Sequence, residues 1–255
     1  EDLFPNTPIK PITRTTWDIF GGPATFKSGL AGSFPEPIVV INFDRPWDYI
    51  RSLYPDKHIS VLDVGVVGDM DEGTATSAYY MVRQYIQAAQ QLESGTLVID
   101  GGTQYWTLRK MVILAPKIRE RAAKGRELLP FDYEVANADA LNEMAHLSRS
   151  QLNVVFTHQA AEIWETDEGG RNPARSGRFR ARESSAIPYG SEVQVYTYLA
   201  RSSSPNSNED VPWAMVTKCA FREGVVGMSF EKPTYDKLLP WVAPLVVDSE
   251  VVNSE

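Results

Sequence analysis

Cysteine is almost absent from this sequence of 255 residues, which contains only Cys219. A single cysteine excludes an internal disulfide framework and a cysteine-rich metal site, and it fits a reducing, cytoplasmic environment. The three histidines are scattered without metal-ligand spacing, and no nucleophilic triad signature is present. Apolar runs are short as well. None approaches the ~18 residues of a membrane-spanning helix, so we expect no membrane partner.

Positive charge is also in the minority, because 25 Lys and Arg residues stand against 33 Asp and Glu residues, for a net charge of −8. This balance argues against a general DNA-binding surface, although a local basic loop can still contact phosphates. The chain is 43% hydrophobic and long enough for a well-buried core. We expect an extended, proline-containing arm over residues 1–15, one domain over residues 16–242 and a tail over residues 243–255.

Short apolar runs alternate with helical patterns along most of the chain. Strands are predicted at residues 15–20, 37–43, 59–67, 95–100 and 152–159, and helices at residues 74–94, 105–127 and 136–149. Pro116 is expected to bend or split the second helix. A polar loop is predicted over residues 165–188, followed by antiparallel strands at one edge of the sheet. The predicted class is therefore α/β, with a mostly parallel central sheet, flanking helices and antiparallel C-terminal strands.

Residues 20–32, FGGPATFKSGLAG, match the phosphate-binding pattern G-x-x-x-x-G-K-[ST] except that Phe26 replaces the second glycine. In such a loop, backbone N–H groups cradle phosphate oxygens, Lys27 reaches the β- and γ-phosphates, and the Ser28 hydroxyl binds Mg²⁺. The alternative is a glycine-rich turn in which Lys27 is a solvated charge. The predicted nucleotide-binding residues are Gly21, Gly22, Pro23, Ala24, Thr25, Phe26, Lys27, Ser28 and Gly29.

Acidic residues end two of the predicted strands. Asp100 closes TLVID, where a carboxylate can hold the water shell of magnesium, with Ser28 as the other magnesium residue. Asp44 closes PIVVINFD, where it can polarise the water that attacks the γ-phosphate, so Lys27 and Asp44 are the predicted catalytic residues. Each acid also has an ordinary explanation: Asp100 as the first exposed residue after a buried strand, and Asp44 as a turn residue.

His158 and Gln159 end the predicted strand NVVFTHQ, at the same edge of the sheet as the two acids. A polar side chain in that place can sense the γ-phosphate. Polar residues that simply leave a buried strand are an equally good explanation. The pair is therefore a candidate sensor.

With these motifs the sequence resembles the phage RecA-like ATPases of the Sak-four, single-strand-annealing type. The stretch GGPATFKSGLAGSFPEPIVVINFD is similar to their phosphate loop, which is followed by an unusually short helix and a strand ending in an acid. TLVIDGGTQYW and NVVFTHQAAEIW resemble their magnesium-acid strand and the next strand. The acid after the second strand is usually Glu in RecA itself, whereas this chain has Asp44.

The resemblance implies a RecA-like P-loop core, binding of ATP and Mg²⁺, homo-oligomerisation and a role in phage DNA recombination or annealing. The protein would then act in the cytoplasm of the host cell or as part of a phage assembly. RecA-like ATPases also complete their site with Lys or Arg from a neighbouring subunit. TKCAFREG loosely resembles such an element, which makes Lys218 and Arg222 candidates, although Ala220 stands where the middle Arg is expected.

An arginine-rich segment, RNPARSGRFRAR, lies inside the predicted polar loop. Arginine binds phosphate in a bidentate manner and an aromatic ring can stack on a base, so single-stranded DNA is a natural partner. A solvated loop, or one that binds another subunit, is the alternative. The candidate DNA-binding residues are Arg171, Arg175, Arg178, Phe179, Arg180 and Arg182.

Three functions are consistent with these features. The leading one is an ATP-binding and ATP-hydrolysing RecA-like phage protein that acts on DNA. The second is a degenerate P-loop protein with a structural role in a larger phage complex, which the Phe26, Asp44 and Ala220 departures favour. The third is a hexameric helicase-type motor, which requires DNA-stimulated turnover and strand separation.

Overall fold

A computed structural model of the chain describes residues 14–166, 173–182, 186–204 and 207–243. Apart from residues 14, 15 and 243, the predicted arm and tail lie outside this range. The strands are β1 (Thr16–Gly21), β2 (Ile38–Asn42), β3 (Ile59–Asp63), β4 (Thr96–Asp100), β5 (Asn153–Thr166), β6 (Pro173–Ala181), β7 (Val193–Arg201), β8 (Asp210–Cys219) and β9 (Ser229–Glu231). The helices are α1 (Lys27–Gly32), α2 (Asp48–Leu53), α3 (Glu72–Ala89), α4 (Gly102–Ile113), α5 (Ala115–Ala123), α6 (Glu134–Leu147), α7 (Ala186–Gly190) and α8 (Tyr235–Val242).

The strands form one sheet in the order β3-β2-β4-β5-β1-β7-β8-β9, with β6 paired to β5 alone. The six strands from β3 to β7 are parallel, whereas β8 and β9 are antiparallel to their neighbours. The predicted α/β class, with a mostly parallel sheet and antiparallel C-terminal strands, is confirmed. One detail differs. β7 runs parallel to β1, and only its pairing with β8 is antiparallel.

Two apolar cores lie on the two faces of the sheet. In β4, Val98 belongs to the first core, while Leu97 and Ile99 belong to the second, because successive strand residues point to opposite faces. Helices α1, α2 and α8 cover the first face, and α3, α4, α6 and α7 cover the second. Burial on both faces explains the continuous apolar run TLVID. Among the described residues, no helix is long and apolar enough to cross a bilayer.

Where the structure describes residues 165–188, the prediction of a polar loop is wrong. β5 continues to Thr166 beyond the end of the main sheet, and β6 returns antiparallel to it, with Ala160 opposite Ala181. A strand that leaves the sheet needs new partners for its backbone groups, and β6 provides them. The Arg, Gly and Ser content of the segment hid this pairing. The split at Pro116 is confirmed, because α4 ends at Ile113 and α5 begins at Ala115.

Helix α1 has only six residues, so the short helix expected after the glycine loop is confirmed. Its C-terminal end is closed by the Lys57 ammonium group, which donates to the backbone carbonyl oxygens of Gly32, Ser33 and Phe34 at 3.2, 2.6 and 2.6 Å. These bonds satisfy acceptors that a helix end leaves without partners. The short helix is therefore held by a side chain from the segment before β3.

Candidate functional site

The glycine loop, residues 21–28, joins β1 to α1 and is fixed to β7. A Cβ atom at Gly21 would overlap both the side chain and the backbone of Thr197, so only glycine fits there. The Thr25 hydroxyl donates to the carbonyl oxygen of Gly22 at 2.9 Å and shares a 2.8 Å hydrogen bond with the Thr197 hydroxyl. Thr197 is therefore a support of the loop, and no motif in the sequence indicates this.

The loop backbone is strained. Among the described residues, three non-glycine residues have positive φ, and two of them are Ala24 (58°) and Phe26 (71°) in this loop. A left-handed conformation costs a non-glycine residue about 1–2 kcal/mol. Residues held in such conformations are concentrated at ligand-binding and active sites. Alternation of left-handed and right-handed residues also turns backbone N–H groups towards one concave side, which suits an anion.

The Phe26 ring lies against the protein. A Cβ atom on Gly29 would overlap the ring, and the ring packs against the first core, so Gly29 provides the space that Phe26 occupies. The ring is thus part of the base of the loop. Phe26 supplies a backbone N–H group as glycine does, so the departure from the motif leaves the donors of the loop in place.

The Lys27 ammonium group is folded back onto its own loop, where it donates to the carbonyl oxygens of Gly22 (2.6 Å) and Gly21 (3.2 Å). Burial lowers the pKa of Lys27 from 10.5, and the nearby carboxylates of Asp100 and Asp44 partly oppose this effect. The site therefore contains a partly desolvated cation between two acids.

Asp100 is 3% exposed at the end of β4 and accepts three side-chain hydrogen bonds. Its Oδ2 atom accepts from the Ser28 hydroxyl at 2.8 Å and from the Trp47 indole N–H at 2.7 Å, and its Oδ1 atom accepts from the Thr157 hydroxyl. Burial raises the pKa of Asp100 above 3.8, and the three donors lower it in part. The acid is buried, which contradicts the alternative that it is merely the first exposed residue after the strand.

A small cleft opens beside the loop at the carboxyl ends of β2 and β4, next to the middle of β5. The residues that line it are Lys27, Asp44, Gly101, Thr103, Gln104, Thr157, His158 and Gln159. The predicted catalytic pair and the predicted sensor pair therefore meet at one cleft. Asp44 is exposed to solvent there. Asp100 accepts hydrogen bonds from Thr157, which lines the cleft, and from Ser28.

His158 and Gln159 do not end their strand, because β5 continues for seven residues beyond Gln159. His158 is 1% exposed, and its Nδ1 atom lies 2.9 Å from Oδ1 of Asp18, which is also buried. Gln194 donates to the other oxygen of Asp18 at 3.3 Å. The His158 ring is therefore held in a fixed orientation, while Gln159 is exposed. Asp18 gave no signal in the sequence because it lies inside an apolar strand.

Lys218 and Arg222 lie near the C-terminal end of β8, at the end of the sheet where β7 begins, whereas the glycine loop follows the carboxyl end of β1. Lys218 pairs with Gln194 near the start of β7 and donates to the carbonyl oxygens of Ser191 (2.6 Å) and Tyr189 (3.2 Å). Arg222 donates to the carbonyl oxygen of Pro240 at 2.9 Å. Neither residue reaches the loop of its own chain, and a role in the site of a neighbouring subunit stays a prediction.

The arginine-rich segment forms β6 and its C-terminal end, with Arg171 outside the described residues. Phe179 is 40% exposed and stacks on Tyr196 at 5.2 Å between ring centroids, and Tyr196 stacks on Tyr198 at 5.7 Å. Arg175, Arg178, Arg180 and Arg182 are exposed along the same strand and its end. We call the three stacked rings of Phe179, Tyr196 and Tyr198 the aromatic row. The tertiary structure thus joins one predicted residue to two tyrosines of β7 that sequence reasoning missed.

Comparison with known proteins gives no relative: no protein-family model matches this chain, and no curated protein matches its sequence. The functional interpretation therefore depends on the geometry of the site and on the sequence motifs.

Proposed function

We propose that this chain is a P-loop ATPase with a RecA-like core, which binds ATP together with Mg²⁺ and hydrolyses it. One observation carries the proposal: the Ser28 hydroxyl donates to Asp100 Oδ2 at 2.8 Å, although the two residues are 72 positions apart. Lys27 directly precedes Ser28, and the negative charge of Asp100 partly opposes the lowering of the Lys27 pKa by burial. A hydroxyl, a carboxylate and an ammonium group held together are what a magnesium–phosphate complex requires.

The place of the cleft in the sheet supports the proposal. After β1 the chain enters α1 on the first face, whereas after β4 it enters α4 on the second face. In α/β sheets, ligands bind outside the carboxyl ends of strands where the connections diverge in this way. The strained loop and the two acids lie at this point.

Magnesium fits the oxygen ligands that the site offers. This ion usually keeps several waters and is bound by one or two protein oxygens together with substrate phosphates. In the described part of the chain, no group of three or more His, Cys, Asp or Glu side chains is placed to hold a metal, so phosphate oxygens would have to complete the coordination. The Ser28 hydroxyl donates a hydrogen bond to Asp100, so its oxygen keeps lone pairs for the cation. When bound, the ion would neutralise charge on the phosphates.

The protein residues then have separate tasks. Lys27 would exchange the carbonyl oxygens of Gly21 and Gly22 for phosphate oxygens, and Asp44 would orient the attacking water from the cleft wall. Gln159, the exposed neighbour of the buried His158, would contact the γ-phosphate.

Measurement of ATP binding and hydrolysis, with and without Mg²⁺, tests the proposal in wild type and in Lys27→Ala. We expect magnesium-dependent binding and turnover in wild type, and a loss of affinity of about 100-fold or more in the variant. Two hydrogen bonds to charged phosphate are worth roughly 1.5–3 kcal/mol each, and ~1.4 kcal/mol is tenfold. Lys124→Ala, which removes an exposed lysine after α5, is the matched control and should bind normally.

Absence of ATP binding by wild type would refute the proposal, as would equal binding by Lys27→Ala. Binding without turnover would instead favour the second function, a nucleotide-binding protein with a structural role in a larger assembly. The observation that favours this second function is that Lys27 is already bonded to its own loop, so a phosphate must displace those bonds.

Replacement of Phe26 by glycine should leave ATP binding intact or strengthen it by up to about tenfold. The left-handed backbone at φ 71° costs phenylalanine roughly 1–2 kcal/mol, which glycine does not pay. Titration calorimetry with ATP and Mg²⁺ measures the difference. A complete loss of binding would show instead that the ring packed over Gly29 is needed to shape the loop.

The resemblance extends the proposal to single-stranded DNA as substrate, in recombination or annealing, and to a homo-oligomer in which Lys218 or Arg222 completes a neighbouring site. The exposed arginines of β6, the strand that also carries Phe179, support the DNA partner, because arginine contacts phosphates and bases stack on aromatic rings. Phe179 is the ring of the row that is 40% exposed, and so the one on which a base can stack.

Phe179→Ala should lower the affinity for a labelled oligothymidylate by about 5- to 100-fold, the effect of losing one stacked base. Arg180→Ala should weaken binding and reduce the salt dependence by about one phosphate contact. Fluorescence anisotropy at several salt concentrations measures both effects. Tyr189→Ala and Arg119→Ala remove an exposed ring and an exposed arginine elsewhere and serve as controls. If all four variants bind alike, β6 is not the DNA surface.

A further inference from the structure

We propose that Trp47 is a positioning residue that holds the two acids of the site, Asp100 and Asp44, in a fixed relation to each other. The inference rests on the proposed function, because it assigns Trp47 to the magnesium step and the water-orienting step of that site. Trp47 lies outside the motifs of the sequence, three residues after Asp44.

The indole ring is fixed by burial. Trp47 is 2% exposed in the first core, and its indole N–H donates to Asp100 Oδ2 at 2.7 Å, the oxygen that also accepts from Ser28. An indole N–H is a donor only and has no acceptor function. It therefore continues to hold Asp100 Oδ2 when Ser28 turns its lone pairs towards a cation.

The segment that carries Asp44 is attached to Asp100 at both ends. At its start, the Phe43 N–H donates to the backbone carbonyl oxygen of Asp100 at 2.9 Å. At its far end, the Trp47 indole N–H donates to the Asp100 side chain. Between them, the Asn42 side chain accepts from the Asp44 N–H and donates to the carbonyl oxygen of Arg45, both at 3.1 Å. The exposed Asp44 carboxylate is thus placed relative to Asp100 by a short, bonded segment.

This geometry gives Trp47 two effects. The indole bond fixes the orientation of the Asp100 carboxylate, which would hold the water shell of magnesium. The same bond fixes the end of the Asp44 segment, which sets where an attacking water is oriented. Neither effect involves contact with the phosphates, so Trp47 should act on magnesium dependence and turnover and not on metal-free nucleotide binding.

Trp47→Phe tests the inference because it keeps an aromatic ring in the core and removes only the donor. We expect the Mg²⁺ concentration for half-maximal hydrolysis to rise about tenfold, because a hydrogen bond to a charged group is lost. ATP binding in EDTA should stay within about twofold of wild type. Trp17→Phe is the matched control. It removes an indole donor, bonded to Thr15, from the same core and should leave the magnesium dependence unchanged.

A double-mutant cycle with Asp44→Asn tests the link between the acids. We expect the two substitutions to be less than additive in kcat, because both disturb the placement of one water. Unchanged magnesium dependence in Trp47→Phe would overturn the inference, and strict additivity would overturn its Asp44 part. Both results presuppose ATP turnover by wild type. Absence of that turnover defeats the proposed function itself, so the two failures are distinguishable.

A second measurement does not depend on the Trp47 variant being folded. In wild-type protein labelled with ¹⁵N at its six tryptophans, the indole N–H signal that shifts in Asp100→Asn should also shift when Mg²⁺ and ATP are added. An indole signal that responds to Asp100→Asn but not to Mg²⁺ and ATP would contradict the proposal.

Discussion

Arg109→Met should lower the free energy of unfolding by about 3–5 kcal/mol, the usual cost of removing one partner of a buried ion pair. The Arg109 side chain is 2% exposed on α4, lies 2.5 Å from Glu143 and 3.0 Å from Asp139 on α6, and packs over the Tyr105 ring. Burial lowers the pKa of Arg109, but the Glu143 carboxylate, together with Tyr105 and Tyr79, more than compensates and raises it overall. Methionine fills similar space and leaves Glu143 buried without its main cation.

Denaturation by urea, followed by circular dichroism, measures this change. Lys124→Met is a suitable control, because Lys124 bonds Glu120 at 2.8 Å on the exposed side of α5 and should contribute little. The double variant Arg109→Met with Glu143→Met should recover part of the loss, since no buried charge is then left unpaired. A loss below about 1 kcal/mol in Arg109→Met would mean that Arg83, which lies 3.4 Å from Glu143, can replace Arg109.

Asp100→Asn should lower the rate of ATP hydrolysis by about 10²–10³-fold, as does removal of one preorganised electrostatic group in other enzymes. The amide keeps an oxygen for the Ser28 and Trp47 donors, and the Thr157 hydroxyl can rotate to accept from its NH₂ group. The negative charge beside the proposed magnesium position is lost. Steady-state ATPase assays at saturating Mg²⁺ measure the effect.

The same substitution should leave the protein as stable at neutral pH, or make it more stable. Burial raises the pKa of Asp100 above 3.8, so the folded protein binds this proton more readily than the unfolded chain. Stability therefore falls as pH rises from 3.8 through the pKa in the folded state, and the cost is fully present at neutral pH. Asparagine removes this cost. A variant that keeps ATPase activity but loses stability would assign Asp100 a structural role instead.

The motif residues could be found from the sequence because phosphate binding depends on local backbone. The glycine loop needs a strand before it and a helix after it, and both patterns were readable around Lys27. Asp44 and Asp100 could be predicted as site residues because the carboxyl ends of parallel strands share one edge of a sheet. Lys27 and Asp44 do line one cleft, and Asp100 lies just behind it.

The hairpin of β5 and β6 could not be predicted from the sequence. Its sequence has the composition of a loop, and its strand character comes from a partner that continues beyond the main sheet. The buried network of Arg109, Glu143 and Asp139 was equally hidden, because helix periodicity does not indicate which charged residue faces a neighbouring helix.

By itself the sequence determined the alternation of strands and helices, the loop at residues 21–28 and the acids at the strand ends, since each depends on neighbouring residues. Only the tertiary structure decided which distant side chains support them. Asp100 is bonded by Thr157 of β5 and by Trp47 at the start of α2. The glycine loop is bonded by Thr197 of β7, and His158 by Asp18 of β1. Their pairing depends on strand order and register, and no local pattern records these two properties of the sheet.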